Sequence, residues 1–251
     1  MKEIACFILI ALLILSIPIA YAETLTGAEI LKRVDKNFET SGRVSTNTMI
    51  IKGRRGTRKI TTKVWVEGSE EKAFTDFLSP PREKGTKMLK LDKELWIRNP
   101  SSDRIIKLAG HMLRQSMMGS DASYEDFMED TDFTVNYDVN ILGEEEVDKR
   151  NCYILKLKAK PGKSPSYFLR KIWVDKERYL ALKEDLFAKS GKLLKTMTVN
   201  EVFQIDHRWY PKVVTYKDVL KSGDGTMIVI DSIKLDVKIP KYIFSKASLK
   251  K

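Results

Sequence analysis

The chain has 251 residues, of which 43% are hydrophobic and 31% charged, with a formal net charge of +11 and two cysteines. That length is enough to bury a sizeable core in one domain, and two cysteines are too few for a disulfide framework. In a cytoplasmic protein so large a positive excess would raise the question of nucleic acid, but the first residues argue against that compartment.

Lys2 opens a short positive region, Ile4 to Ile17 is an almost unbroken apolar run, and Pro18 precedes Ala20-Tyr21-Ala22. This is the pattern of an export signal cleaved after Ala22, and its apolar run is shorter than the roughly 20 residues a spanning helix needs. The expected domains are therefore a signal peptide over 1–22 and a single domain over 23–251, in the periplasm or cell envelope. An uncleaved anchor is the rival reading. Cys6 precedes the apolar run instead of following it, so it is expected to leave with the signal. Cys152 then has no partner even in an oxidising compartment. Outside the cytoplasm a basic surface suits anionic membrane head groups or acidic envelope partners, or it serves only solubility.

Along the chain, Thr26 to Phe38 reads as an amphipathic helix. Ile30, Leu31, Val34 and Phe38 recur at helical spacing, and Thr26 with Glu29 forms a capping box. Period-two patterning follows. Strands are expected at Val44–Ile51, Lys59–Glu67, Lys72–Leu78, Met88–Leu91, Leu95–Arg98, Phe133–Ile141, Tyr153–Lys160, Lys171–Val174, Leu180–Phe187, Leu194–Phe203, Lys212–Leu220 and Met227–Ile239. Tight-turn sequences such as Asp92-Lys93, Ser190-Gly191 and Ser222 to Gly225 join them, which makes the order antiparallel and mostly sequential. Eleven or twelve strands in one meander need their apolar face covered, by curling into a barrel or by receiving a helix.

Trp65 lies on the opposite strand face from Val64 and Val66, and Trp96 opposes Leu95 and Ile97, so these strands are bulky and apolar on both faces. Either the concave face lines a cavity while the convex face is covered, or this is plain packing. The regularity breaks between Ala109 and Asp132, where Met112, Leu113, Met117, Met118, Phe127 and Met128 alternate with Gly110, Gly119 and Ser120. Ser123 is placed to cap a short helix from Tyr124 to Met128. Flexible thioethers suit a surface that repacks around different apolar shapes, or simply fill core under a loop.

Catalytic patterns are missing. There is no Gly-x-Ser-x-Gly elbow, phosphate-cradling glycine loop or His-Glu-x-x-His, and neither His111 nor His207 has a second His or Cys at ligand spacing. No catalytic residue, metal or cofactor is expected. Asp121, Glu125, Asp126, Glu129, Asp130 and Asp132 form a local acidic patch without the spaced calcium-loop pattern; it reads as a wet helix face or a partner-docking patch. Glu144-Glu145-Glu146 reads as a solvated loop.

The stretches Phe77-Leu78-Ser79-Pro80-Pro81-Arg82-Glu83-Lys84-Gly85-Thr86, Leu95-Trp96-Ile97-Arg98-Asn99-Pro100 and Met118-Gly119-Ser120-Asp121-Ala122-Ser123-Tyr124-Glu125-Asp126-Phe127, with the later Gly143 to Leu155 hairpin, resemble the outer-membrane lipoprotein-sorting, LolA-like proteins. The resemblance implies a mostly β fold with some α, an unclosed antiparallel barrel lidded by a few helices. It also implies a non-catalytic periplasmic carrier whose hydrophobic cavity holds acyl chains of a lipoprotein or lipid and hands them to a membrane transporter or receptor. The expected cavity wall is Trp65, Phe74, Phe77, Leu89, Leu91 and Trp96, and the expected lid is Met112, Leu113, Met117, Met118 and Phe127. A sensor or scaffold accessory to a membrane transporter, on the same fold and acting through the acidic patch, is the alternative.

Overall fold

The computed structural model describes residues 25–53, 56–68, 71–129 and 132–250. The expected export signal, with Cys6, lies outside them, as does Asp130. Among the described residues no helix is long and apolar enough to cross a membrane.

One sheet carries the molecule. Its strands are β1 (Gly42–Gly53), β2 (Gly56–Glu67), β3 (Lys72–Ser79), β4 (Lys87–Leu91), β5 (Glu94–Asn99), β6 (Arg104–Leu108), β7 (Tyr137–Val147), β8 (Arg150–Ala159), β9 (Leu169–Asp175), β10 (Ala181–Phe187), β11 (Leu193–Ile205), β12 (Arg208–Asp218) and β13 (Thr226–Lys234). They run in the order β6-β5-β4-β3-β2-β1-β13-β12-β11-β10-β9-β8-β7, all pairs antiparallel. Two meanders, β1–β6 and β7–β13, are thus joined along one seam between β1 and β13. The barrel stays open because β6 and β7 do not pair with each other.

The seam runs from Val44 opposite Lys234 to Ile51 opposite Thr226, with a bulge at Thr46/Asn47. Thr48 Oγ1 donates to Asp231 Oδ2 across it at 2.7 Å.

Three details depart from the periodicity reading. β6 was not expected, because adjacent Ile105 and Ile106 break the alternation in a five-residue edge strand. Residues Phe133–Val135 form a 3-10 turn, so the next strand starts later, at Tyr137. The Glu144–Glu146 run is inside β7, not in a loop, since an edge strand tolerates charge on its wet side.

The helix is where its apolar spacing puts it. In α1 (Gly27–Phe38), the Thr26 N–H donates to Glu29 Oε2 at 2.7 Å and the Glu29 N–H to Thr26 Oγ1 at 3.3 Å, which satisfies two N-terminal donors. Ile30, Leu31 and Val34 pack on Tyr137, Leu155, Leu157, Ile172 and Val174, covering the concave face of β7–β9. Each such buried side chain contributes about 1.5–3 kcal/mol before chain entropy is counted.

Outside the barrel, the chain after β13 turns back along the convex face. Two 3-10 turns, Lys241–Phe244 and Lys246–Leu249, lay Ile239, Phe244 and Leu249 on Phe74 and Leu89, beside Trp65, Leu91 and Trp96. Gly42 makes this crossing possible: the Val237 N–H donates to its carbonyl at 3.0 Å, and a Cβ there would sit 2.2 Å from the Val237 oxygen.

Candidate functional site

The concave face of β1–β5, β12 and β13 encloses a cavity of about 370 Å³. Strand alternation selects its lining. Val64, Val66, Ala73, Thr75, Phe77, Met88 and Lys90 point in, while the residues between them point out. Met117 and Phe127 roof it, and Phe38 at the end of α1 reaches one side.

The expected site residues therefore divide. Phe77, Met117 and Phe127 line the cavity, and Met112, Leu113 and Met118 pack against the cluster formed by Met49, Ile60, Phe77, Met88 and Met117. Trp65, Phe74, Leu89, Leu91 and Trp96 do not line it. They stand on the convex face under the C-terminal segment. The physical reason is parity. A strand that is apolar on both faces carries no internal mark of which face is inside, and the cover on the outer face comes from residues more than 140 positions away.

The roof is the segment between β6 and β7. It is built from short 3-10 turns at Gly110–Met112, Met117–Gly119 and Tyr124–Phe127. The last ends one residue short of the expected Met128, and at its start the Ser123 N–H donates to Asp126 Oδ2 at 2.6 Å. Met118 and Gly119 both adopt left-handed backbone, with φ of 51° and 75°, a conformation that glycine takes freely.

Polar clasps hold this roof down on both halves of the barrel. From β2, Arg58 Nη2 donates to the Met118 carbonyl at 2.5 Å. Across the seam, Asp121 accepts the Thr226 hydroxyl at 2.8 Å and the Asp218 N–H at 3.0 Å. Lys221 Nζ reaches Ser116 Oγ and the Ser120 carbonyl, each at 2.6 Å. On β11, Lys195 Nζ donates to Ser123 Oγ at 2.8 Å and Asp126 Oδ2 at 2.7 Å. On β9, Arg170 pairs with Glu129 and, at 2.8 Å, with Glu184 of β10, under the rings of Phe133, Tyr137 and Tyr167. Burial pushes the Glu184 carboxyl above the usual range, against the pull of Arg170. Burial, then the charge of Asp126, likewise raises the Tyr167 hydroxyl, which donates to that carboxylate.

The acidic patch is thus neither a wet face nor a free docking surface at its core. Asp121, Asp126 and Glu129 are spent inside the molecule, on partners in β9, β11, β12 and β13. Sequence reasoning missed those partners. The available signal was a charge at an inward strand position: Leu157, Arg170, Leu186 and Lys195 lie in one cross-strand row, and two of the four are basic.

Among the described residues no group of three or more His, Cys, Asp or Glu side chains could hold a metal ion. His111 lies in the roof and His207 in the turn between β11 and β12. The arrangement offers a partly enclosed, largely apolar volume beneath a cover of short turns.

Comparison with known proteins agrees with this geometry. A family model described as "Uncharacterized protein" matches residues 69–251. A DUF1329 family protein from Desulfovibrio piger is 26% identical with a TM-score of 0.80, over 89% of this chain and 97% of that one. A putative outer membrane lipoprotein-sorting protein domain from Vibrio parahaemolyticus is 22% identical with a TM-score of 0.79, over 90% and 98%. A LolA superfamily protein from Nitrosomonas europaea is 23% identical with a TM-score of 0.73, over 90% and 100%. No curated protein matches the chain.

Proposed function

Since the chain belongs to the family of uncharacterized proteins matched over residues 69–251, and has the LolA-like fold of outer-membrane lipoprotein-sorting proteins, we propose that it is a periplasmic carrier for acyl chains. It takes an acyl chain of a lipoprotein or lipid into the concave cavity and gives it up at a membrane transporter or receptor. The observation that carries this reading is the cavity of about 370 Å³ roofed by Met117 and Phe127. Each methylene exposed to water costs about 0.8 kcal/mol, so an acyl chain crosses an aqueous compartment only inside an apolar enclosure. The volume sits at the lower end of the roughly 300–1,000 Å³ typical of ligand cavities, which suits one chain at a time.

Opening requires no chemistry. The roof is a set of short turns held by side-chain clasps, so a competitor for its underside shifts it without breaking a sheet. The basic surface favours approach to anionic head groups.

Native mass spectrometry of the exported protein purified from envelope extract, followed by organic extraction, tests the proposal. An acylated species is expected to co-purify, and to be lost from a folded Met117→Asp/Met118→Asp variant. An empty protein that also takes up no added lipid would sink the carrier reading.

A further inference from the structure

The strand connections leave the sheet at two opposite rims, and the rims differ in chemistry. On one of them the β1–β2, β12–β13 and β10–β11 hairpins stand side by side, set next to one another by the seam and by the pairing of β11 with β12. From β10 to β2 this stretch of rim covers five strand spacings, about 24 Å.

The middle hairpin ends in an apolar tip. Leu220 is 61% exposed, the highest value of any large apolar residue among the described ones, and Val219 beside it is also exposed. The tip is fixed. The Val219 N–H donates to the Leu194 carbonyl, the Leu220 N–H to Asp218 Oδ1 and the Lys221 N–H to the Asp218 carbonyl, each at 3.0 Å. A hydrogen-bonded turn thus holds a leucine out in water, at a cost that an apolar medium would remove. Around it the rim is basic: Lys52 and Lys59 are exposed on the β1–β2 side, and Lys189 and Lys192 on the β10–β11 side. Of the nearby acids, Asp218 holds the turn and Asp224 lies 3.9 Å from Lys52. The opposite rim is mixed, with acids beside bases in turns that read Asp92-Lys93, Asp148-Lys149 and Lys176-Glu177-Arg178.

We propose that the basic rim is a docking surface for an anionic bilayer. Val219 and Leu220 enter the boundary between head groups and acyl chains, and the flanking lysines lie against the phosphates. Two features favour lipid over an acidic protein. Two apolar side chains are far too few for the core of a protein interface, which takes roughly 800 Å² from each partner. Lysines on flexible stems suit head groups that move laterally, whereas fixed carboxylates are matched by arginine forks. The inference goes beyond the carrier reading and does not depend on what the cavity holds. It places the bilayer beside the roof's fastening, because the docking hairpin also carries Lys221, which reaches Ser116 and Ser120, and the Asp218 N–H, which donates to Asp121.

Flotation of the exported protein with phosphatidylcholine vesicles, with and without phosphatidylglycerol, tests this. Binding to the anionic vesicles is expected to be at least about tenfold tighter and to weaken as salt is raised. Lys189→Gln/Lys192→Gln is expected to lower it about tenfold and to flatten its salt dependence, and Leu220→Ser to lower it about tenfold with the salt dependence unchanged. The corresponding change on the opposite rim, Lys93→Gln/Lys149→Gln, is expected to leave binding intact. Absent or equal binding to the two vesicles, or equal losses from the two rims, overturns the docking surface. Polyglutamate bound as tightly as the anionic vesicles, with no loss in Leu220→Ser, makes the partner an acidic protein and overturns the lipid assignment. The substituted side chains lie outside the cavity lining, so lipid uptake measured alongside reports on the carrier reading separately.

Discussion

Asp35 sits half-buried on α1, and burial, with the nearby charge of Asp132, raises its carboxyl to about 6 from an ordinary 3.8. The folded chain then holds this proton more tightly than the unfolded one. Stability contributed here is complete below the unfolded value and is lost as pH rises through about 6, because the ionised form is the disfavoured one. Asp35→Asn is accordingly expected to stabilise the protein by about 1–2 kcal/mol at pH 8, allowing for partial exposure, and to leave it unchanged near pH 4. Urea unfolding at the two pH values measures both, and equal stability of the two proteins at pH 8 removes the buried-acid account. Cys152 follows the same physics: it is buried without a disulfide partner, and burial, then the charge of Asp175, pushes its thiol up to about 11.

At the scale of the element, the roof's own backbone makes little regular structure and its anchors are side chains. Asp121→Ala removes the acceptor for Thr226 and for the Asp218 N–H, leaving two donors to find water. A loss of about 1–3 kcal/mol is expected, concentrated in the roof. Hydrogen exchange resolved by segment should show faster exchange over 110–129 with β8–β11 unchanged; uniform acceleration would mean that the roof is part of the global unit. Arg170 is the more consequential anchor, since it faces both Glu129 and Glu184 inside the barrel. Arg170→Met strands two buried carboxylates and is expected to cost about 3–5 kcal/mol at neutral pH, with part of the loss recovered when Glu184 is also replaced by Gln. Chemical denaturation of the single and double variants checks this.

For the molecule as a whole, the convex face matters as much as the cavity. The strip of Trp65, Phe74, Leu89, Leu91 and Trp96 is apolar and is covered by Ile239, Ile243, Phe244 and Leu249 of the C-terminal segment. Deleting residues 240–251 uncovers it, and the truncated protein is expected to bind an apolar dye and self-associate at concentrations where the full chain does neither. Light scattering and dye fluorescence read both effects, and a monodisperse truncation product that binds no dye refutes the covering role. The same strip explains why these aromatics look like a ligand wall when only the sequence is considered: bulk at both parities of a strand marks burial on two sides, and two quite different covers can supply it.

Much of the fold is legible in the chain because its causes are local. Period-two alternation, turn residues and the Thr26–Glu29 box set the helix, twelve of the thirteen strands and their antiparallel order, and the Met-rich break between strands marks the lid. Which strand face is concave and which acids are clasps are not local properties. They depend on the curl of the sheet and on the pairing of β1 with β13, which bring Asp121 to Thr226, Glu129 to Arg170 and the C-terminal segment to Phe74. Contacts between residues forty to more than a hundred positions apart leave no periodic trace in a single sequence, and only the tertiary structure decided them.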